Sequence, residues 1–208
     1  MKKKFFFKIF LLTSTVLFIN NNANAQTVEL TAAYGYQFGS KSEYNWNDYV
    51  KFDESDQYSF TIGVDMFEGV MTEVTYTHQS TSIIQRDNGK TETLMNLNAD
   101  WIMIGGSKYL TKDKLRPFIG GGLGMAIFNP NNEIRRIGKV ATKLYLAFSA
   151  KAGVNYMFTE QLGINVQGNL MIPIQWGGVY IGTGGLGVSG SSNILIGGFS
   201  GGLVYRLK

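Results

Sequence analysis

From Val28 onward, apolar residues fill every second position: Val28, Leu30, Ala32, Tyr34, Tyr36 and Phe38. Glu29, Thr31, Ala33, Gly35 and Gln37 lie between them. A period of two marks a β-strand with one apolar face. The pattern recurs along the chain. Tyr58, Phe60, Ile62, Val64 and Met66 alternate with small or polar residues, as do Val70, Val74, Tyr76 and His78. Met95, Leu97, Ala99, Trp101 and Met103 follow, with Ile102 and Ile104 blurring the phase. Similar stretches occupy 117–127, 144–156, 164–176 and 195–207. The pattern predicts eight strands and no helix.

The connections alternate as well. Residues 39–57, 81–92, 129–141 and 177–191 read as long loops, and 67–69, 110–116 and 158–162 as short turns. Strict alternation of long and short connections is the asymmetry of an up-and-down barrel in a membrane. An even strand count puts both termini at the short-turn end.

Alternation alone does not decide which face is buried, since a soluble β-sandwich alternates too. Three features favour apolar-out. The apolar face is too bulky for the narrow interior of eight strands. The opposite face is mostly Gly, Ser, Thr, Asn and Gln, whereas a water-facing strand carries more Lys and Glu. Aromatic residues gather near strand ends, with Tyr34, Tyr36, Phe38, Tyr58 and Trp176 at one side and Tyr109, Tyr156, Phe158 and Tyr205 at the other. That is the layout of two interfacial girdles; Trp101, in mid-strand, falls outside it. The expected fold is all-β: an eight-stranded antiparallel up-and-down transmembrane β-barrel.

Charge and composition sharpen this. Of 19 basic residues, Lys2, Lys3, Lys4 and Lys8 lie in the first 25 positions, which hold no acid; the remainder is balanced. A basic nucleic-acid footprint is therefore not supported. Residues 1–25 read as a signal peptide, with a Lys-rich start, an apolar stretch and the small-x-small site Ala23-Asn24-Ala25. Residues 26–208 form the expected barrel domain. All 26 glycines fall there, about 14% of that stretch and twice the usual share. The chain has no cysteine and one histidine, so a thiolate metal centre is excluded and a zinc site disfavoured. No cofactor, metal or catalytic group is expected.

Residues 26–208 resemble the small eight-stranded outer-membrane barrels of Gram-negative bacteria, the OmpA-barrel, OmpX and OmpW-like group. The run Arg116-Pro117-Phe118-Ile119-Gly120-Gly121-Gly122-Leu123-Gly124 is similar to the Pro-aromatic-x-Gly-x-Gly run opening a central strand there. Thr159-Glu160-Gln161-Leu162-Gly163-Ile164 is similar to its periplasmic turns. The resemblance implies a porin-like outer-membrane location and a monomer in contact with outer-membrane lipid and lipopolysaccharide. It also implies periplasmic chaperones and the barrel-insertion machinery during biogenesis. The implied roles are envelope integrity, surface interaction through an extracellular loop partner, or passage of small or hydrophobic compounds.

Several charges are expected in the lumen. Glu29 and Arg206 lie at the same end of the first and last strands, which closure makes neighbours, so an ion pair is predicted across the seam. Asp100 and Lys151 are expected to pair at mid-depth, and Asp65, Glu73 and Lys108 are further inward candidates. Such a network fills and ties the barrel, or gates a small pore. In the third long loop, Arg135, Arg136 and Lys139 have the chemistry to meet lipopolysaccharide phosphates.

Other motifs carry less. The G-x-G-x-x-G at 182–187 lacks a following helix. The G-x-S-x-G at 198–202 lacks a later histidine. The acids of the first long loop, Glu43, Asp48, Asp53, Glu54 and Asp56, lack calcium-loop spacing. Asp87-Asn88-Gly89-Lys90 reads as a turn. His78 and Ser80 share the outward face of one strand, a spacing similar to the His-x-Ser of outer-membrane lipid A deacylases, though no orienting carboxylate is evident. The expected function is that of a non-catalytic structural or surface-interaction barrel. A narrow channel is the alternative, and a lipid A-acting deacylase using His78 and Ser80 is third.

Overall fold

The structure is a computed structural model describing residues 27–45, 48–67, 69–131, 141–174, 179–182, 185–188 and 195–207. The residues expected to form the signal peptide lie outside these, as do Arg135, Arg136 and Lys139. The strands are β1 (Val28–Gln37), β2 (Ser40–Asn45), β3 (Asp48–Phe52), β4 (Ser55–Phe67), β5 (Val70–Asp87), β6 (Lys90–Tyr109), β7 (Leu115–Asn131), β8 (Lys143–Met157), β9 (Leu162–Ile174), β10 (Val179–Gly182), β11 (Gly185–Val188) and β12 (Ile196–Leu207).

Eight strands close a ring. β1 pairs with β4, and pairing continues through β5, β6, β7, β8 and β9 to β12, which returns to β1; every pair is antiparallel. A closed ring has no edge, so its backbone polar groups are satisfied within the sheet. The outward face is apolar: Phe60 and Ile62 are each 55% exposed, as are Leu123, Val166, Phe199 and Leu203 to a similar degree, while Gln37 and Asn155 are buried inside. An exposed apolar belt around a polar interior is the inverse of a soluble fold, and only a bilayer covers it. The ring and its apolar-out face match the expectation.

The expected long loops differ. β5 and β6 run through residues 81–92 and meet at Asn88-Gly89, whose φ angles are 49° and 77°. Positive φ at both positions is the type I′ hairpin turn that this dipeptide favours. Residues 39–57 hold the β2–β3 hairpin. β4 leaves β5 at Gln57↔Gln79, and β3 takes its place from Phe52↔Ile83 to Tyr49↔Arg86. The reason is physical. Beyond the lipid both faces of a strand are wet, the period of two fades, and the strand continues without its sequence signal. The wall thus extends past the belt at the hairpin end, while the termini and short turns mark the turn end.

β6 also reverses its expected phase. Trp101, Met103, Ala99 and Leu97 face inward and are buried, whereas Asp100, Ile102, Ile104 and Lys108 face outward. Register with β5 fixes this: Tyr76 opposes Ile102 and Val74 opposes Ile104 on the lipid face. Both faces of β6 are apolar because the hairpin half of the lumen is itself apolar.

Candidate functional site

Three layers fill the lumen. At the turn end, Glu29 on β1 is the centre of a buried knot. Its carboxylate accepts hydrogen bonds from Tyr109 Oη (2.5 Å), Arg116 Nη1 (3.2 Å) and Asn155 Nδ2 (3.1 Å). Arg206 Nε lies 3.4 Å from Glu29 Oε2. The expected seam pair is therefore present, within a larger set. Arg116 stacks over the Tyr109 ring at 4.1 Å, and Asn165 donates to Asn155 Oδ1 at 2.7 Å. Each partner stands on a different strand, so one carboxylate ties β1, β6, β7, β8 and β12 together. Asp65 faces the same end, within electrostatic reach of Arg206.

One layer up, Lys151 on β8 pairs with Glu73 on β5, which also accepts from Ser107 Oγ at 3.1 Å. Above this lies a cavity of about 50 Å³, lined by Gln57, Thr77, Lys151, Gln167, Asn169 and Ser200 among others. Inward Gly120, Gly122 and Gly124 on β7 let β6 approach closely: a Cβ at any of them would meet Ser107 Oγ, Ile104 O or Ile102 O within 2.8 Å.

The third layer, toward the hairpin end, is apolar. Leu97, Trp101, Met103, Phe128, Met171 and Ile196 pack together, with Phe52 of β3, Ile83 and Tyr145 against them. Trp101 meets Phe128 edge-on at 5.7 Å, and Phe52 approaches Phe128 at 6.1 Å. The β2–β3 hairpin thus contributes a side chain to the seal.

The outer wall carries a second polar constellation where the belt ends. Asp100 Oδ1 accepts from His78 Nδ1 at 2.7 Å and from Tyr76 Oη at 2.6 Å. Tyr58 stacks on the His78 ring, centroids 4.9 Å apart. On the next outward pair, Ser80 Oγ donates to Asn98 Oδ1 at 3.0 Å. Ser82 donates to Asn96 in the same way one pair further.

No protein-family model matches this sequence, and no curated protein matches it. Solved structures do. Neisserial surface protein A (NspA) superposes with a TM-score of 0.60 at 12% identity, over 87% of this chain and 97% of that one. The outer membrane protein OprG from Pseudomonas aeruginosa gives a TM-score of 0.64 at 11% identity, over 88% and 96%. This chain has the fold of the small Gram-negative outer-membrane β-barrels. At such identity the likeness carries fold and leaves role to the residues themselves.

Within this outer-membrane barrel fold, the sequence-predicted residues divide. Glu29, Arg206, Glu73, Lys151 and Asp65 face the lumen as expected. Asp100 and Lys108 do not: both face outward on β6, so the Asp100–Lys151 pair does not form and Glu73 takes Lys151 instead. Tyr109, expected in a girdle, is inside the barrel for the same reason. Arg116 was legible only as part of the glycine-rich run, and its lumen role was missed although its phase with Phe118 and Gly120 gives the inward face. Ser200 of the G-x-S-x-G is buried within β12 and accepts from Gln167, away from any helix turn. His78 and Ser80 face outward as expected, and the structure supplies the carboxylate that the sequence did not reveal.

Proposed function

We propose that this barrel is a sealed integral protein of the outer membrane, with a structural or surface-presenting role and no transport through its lumen. One observation carries the reading: the lumen is blocked at two levels, by the Glu29 knot and by the Trp101–Phe128 cluster, with only a small cavity between. The two seals differ in chemistry, so no single trigger opens both. Above the belt, the paired strands β2–β3 and β5–β6 present ordered sheet to the exterior, against outer-leaflet lipid and lipopolysaccharide, as a single copy.

Planar-bilayer recordings test the seal. Wild-type protein is expected to give no unitary conductance, with folding verified by heat-modifiable mobility in a detergent gel. Steady conductance, or swelling of liposomes in small solutes, would overturn the reading in favour of a narrow channel.

A further inference from the structure

A carboxylate set against an imidazole on the outward wall, with a serine on the same face, has the parts of an activated nucleophile. Asp100 is that carboxylate. Its register partner across the sheet is His78, and two residues along the same outward faces Ser80 opposes Asn98. Directly opposed residues hold their Cβ atoms about 5 Å apart, and successive outward residues on one strand stand about 6.7 Å apart. The four side chains therefore form a compact square on two neighbouring strands: nucleophile, base, orienting carboxylate and amide.

We propose that Ser80, His78 and Asp100 form a hydrolytic site for acyl esters of outer-leaflet lipids, with Asn98 polarising the ester carbonyl. The inference rests on the membrane-barrel fold and is independent of whether the lumen is sealed. It departs from the non-enzymatic expectation at this one place on the wall.

The chemistry follows from the contacts. His78 donates Nδ1–H to Asp100, which fixes the tautomer and leaves the Nε2 lone pair as the free base. Tyr58 stacking holds the ring plane, and the Tyr76 hydroxyl holds the carboxylate. Asp100 is a positioning residue. Ser80 Oγ, now donating to Asn98, turns about χ1 toward Nε2. Its oxygen bonds to the ester carbonyl carbon as its proton passes to Nε2. The carbon–oxygen bond to the lipid alcohol breaks as Nε2 returns that proton to the leaving oxygen. Water, deprotonated by the same nitrogen, then cleaves the acyl–Ser80 ester, giving fatty acid and regenerated serine. Asn98, whose Oδ1 accepts from Ser80 in the resting site, turns its amide about χ2 to present N–H where the oxyanion develops. Placement at the rim of the belt meets an acyl ester at headgroup depth.

The test uses the full chain folded into vesicles of diacyl phosphatidylethanolamine, and separately into vesicles carrying lipopolysaccharide. Free fatty acid is measured by mass spectrometry, and Ser80 labelling by an alkyl fluorophosphonate. Release from either vesicle, with label on Ser80, supports the site and names the lipid source. Ser80→Ala is expected to lower release by ~10³-fold or more and Asp100→Asn by a comparable factor. Asp100→Asn is also expected to shift the pH profile of the remaining rate, and Asp100→Glu to recover part of it. Ser82→Ala, one pair outside the square, is expected to match wild type. Heat-modifiable mobility verifies folding of every variant. A folded protein that releases no acid from either lipid and leaves Ser80 unlabelled would overturn the proposal. So would release undiminished in Ser80→Ala.

Discussion

Arg206 on the last strand reaches Glu29 on the first, Nε to Oε2 3.4 Å, across the seam where the ring closes. The same carboxylate holds Arg116, so it is shared between two guanidinium groups in a nearly dry space. Removing it leaves both cations buried without their partner. Glu29→Ala is expected to destabilise the barrel by about 3–5 kcal/mol, and Glu29→Gln by less, because the amide oxygen still accepts from Tyr109. Denaturant midpoints in detergent micelles check the order.

The two seals act in series. Lys151→Ala breaks the pair with Glu73 but leaves the apolar cluster intact, so conductance is expected to stay absent. Trp101→Ala combined with Glu29→Ala, which removes a member of each seal, is expected to admit a water-filled path and measurable current. A current from Lys151→Ala alone would place the barrier entirely in the charged layer.

Gly89 occupies the left-handed region, with φ at 77°. A β-branched residue there costs roughly 1–2 kcal/mol, confined to the tip of β5–β6. Gly89→Val is expected to accelerate amide exchange over residues 83–95 and leave the ring's protection unchanged. Exchange measured by mass spectrometry on peptic fragments separates these regions.

Beyond the belt, Lys51 bonds Glu54 at 2.8 Å and Asp53 at 3.0 Å. The ammonium group holds the Glu54 carboxyl at about 2, below its ordinary 4.5, and the carboxylates raise Lys51. A depressed carboxyl pKa contributes stability above the unfolded value and loses it as pH falls through the folded one. The junction of β3 and β4 is therefore expected to keep its protease resistance down to pH 4.5 and to lose it between there and about 2. Both groups face solvent, so high salt is expected to weaken the effect. Limited proteolysis with pepsin across that range reads it out.

How much was legible depended on solvent contrast. β1 reads cleanly because lipid lies on one side and polar lumen on the other, so Leu30 and Glu29 differ as their surroundings do. β6 does not, because Trp101 looks into an apolar lumen layer while Ile102 looks at lipid. The blur at Ile102 and Ile104 was the trace of that layer. Misphasing β6 put Asp100 in the lumen and hid its contact with His78, which no spacing within one strand reveals. Glu29 and Arg206 were found because closure of an even-stranded ring makes first and last strands neighbours whatever the side chains.

The ring removes strand edges within the bilayer, yet the extension above it restores one. Among the described residues β2 pairs with β3 on one side only. Among those residues its other side has no sheet partner, and its backbone donors and acceptors make a template onto which a further strand can zip. The sequence Ser40-Lys41-Ser42-Glu43 carries charge and small hydroxyls in place of β-branched apolar residues. Such a border discourages accidental polymerisation of neighbouring barrels.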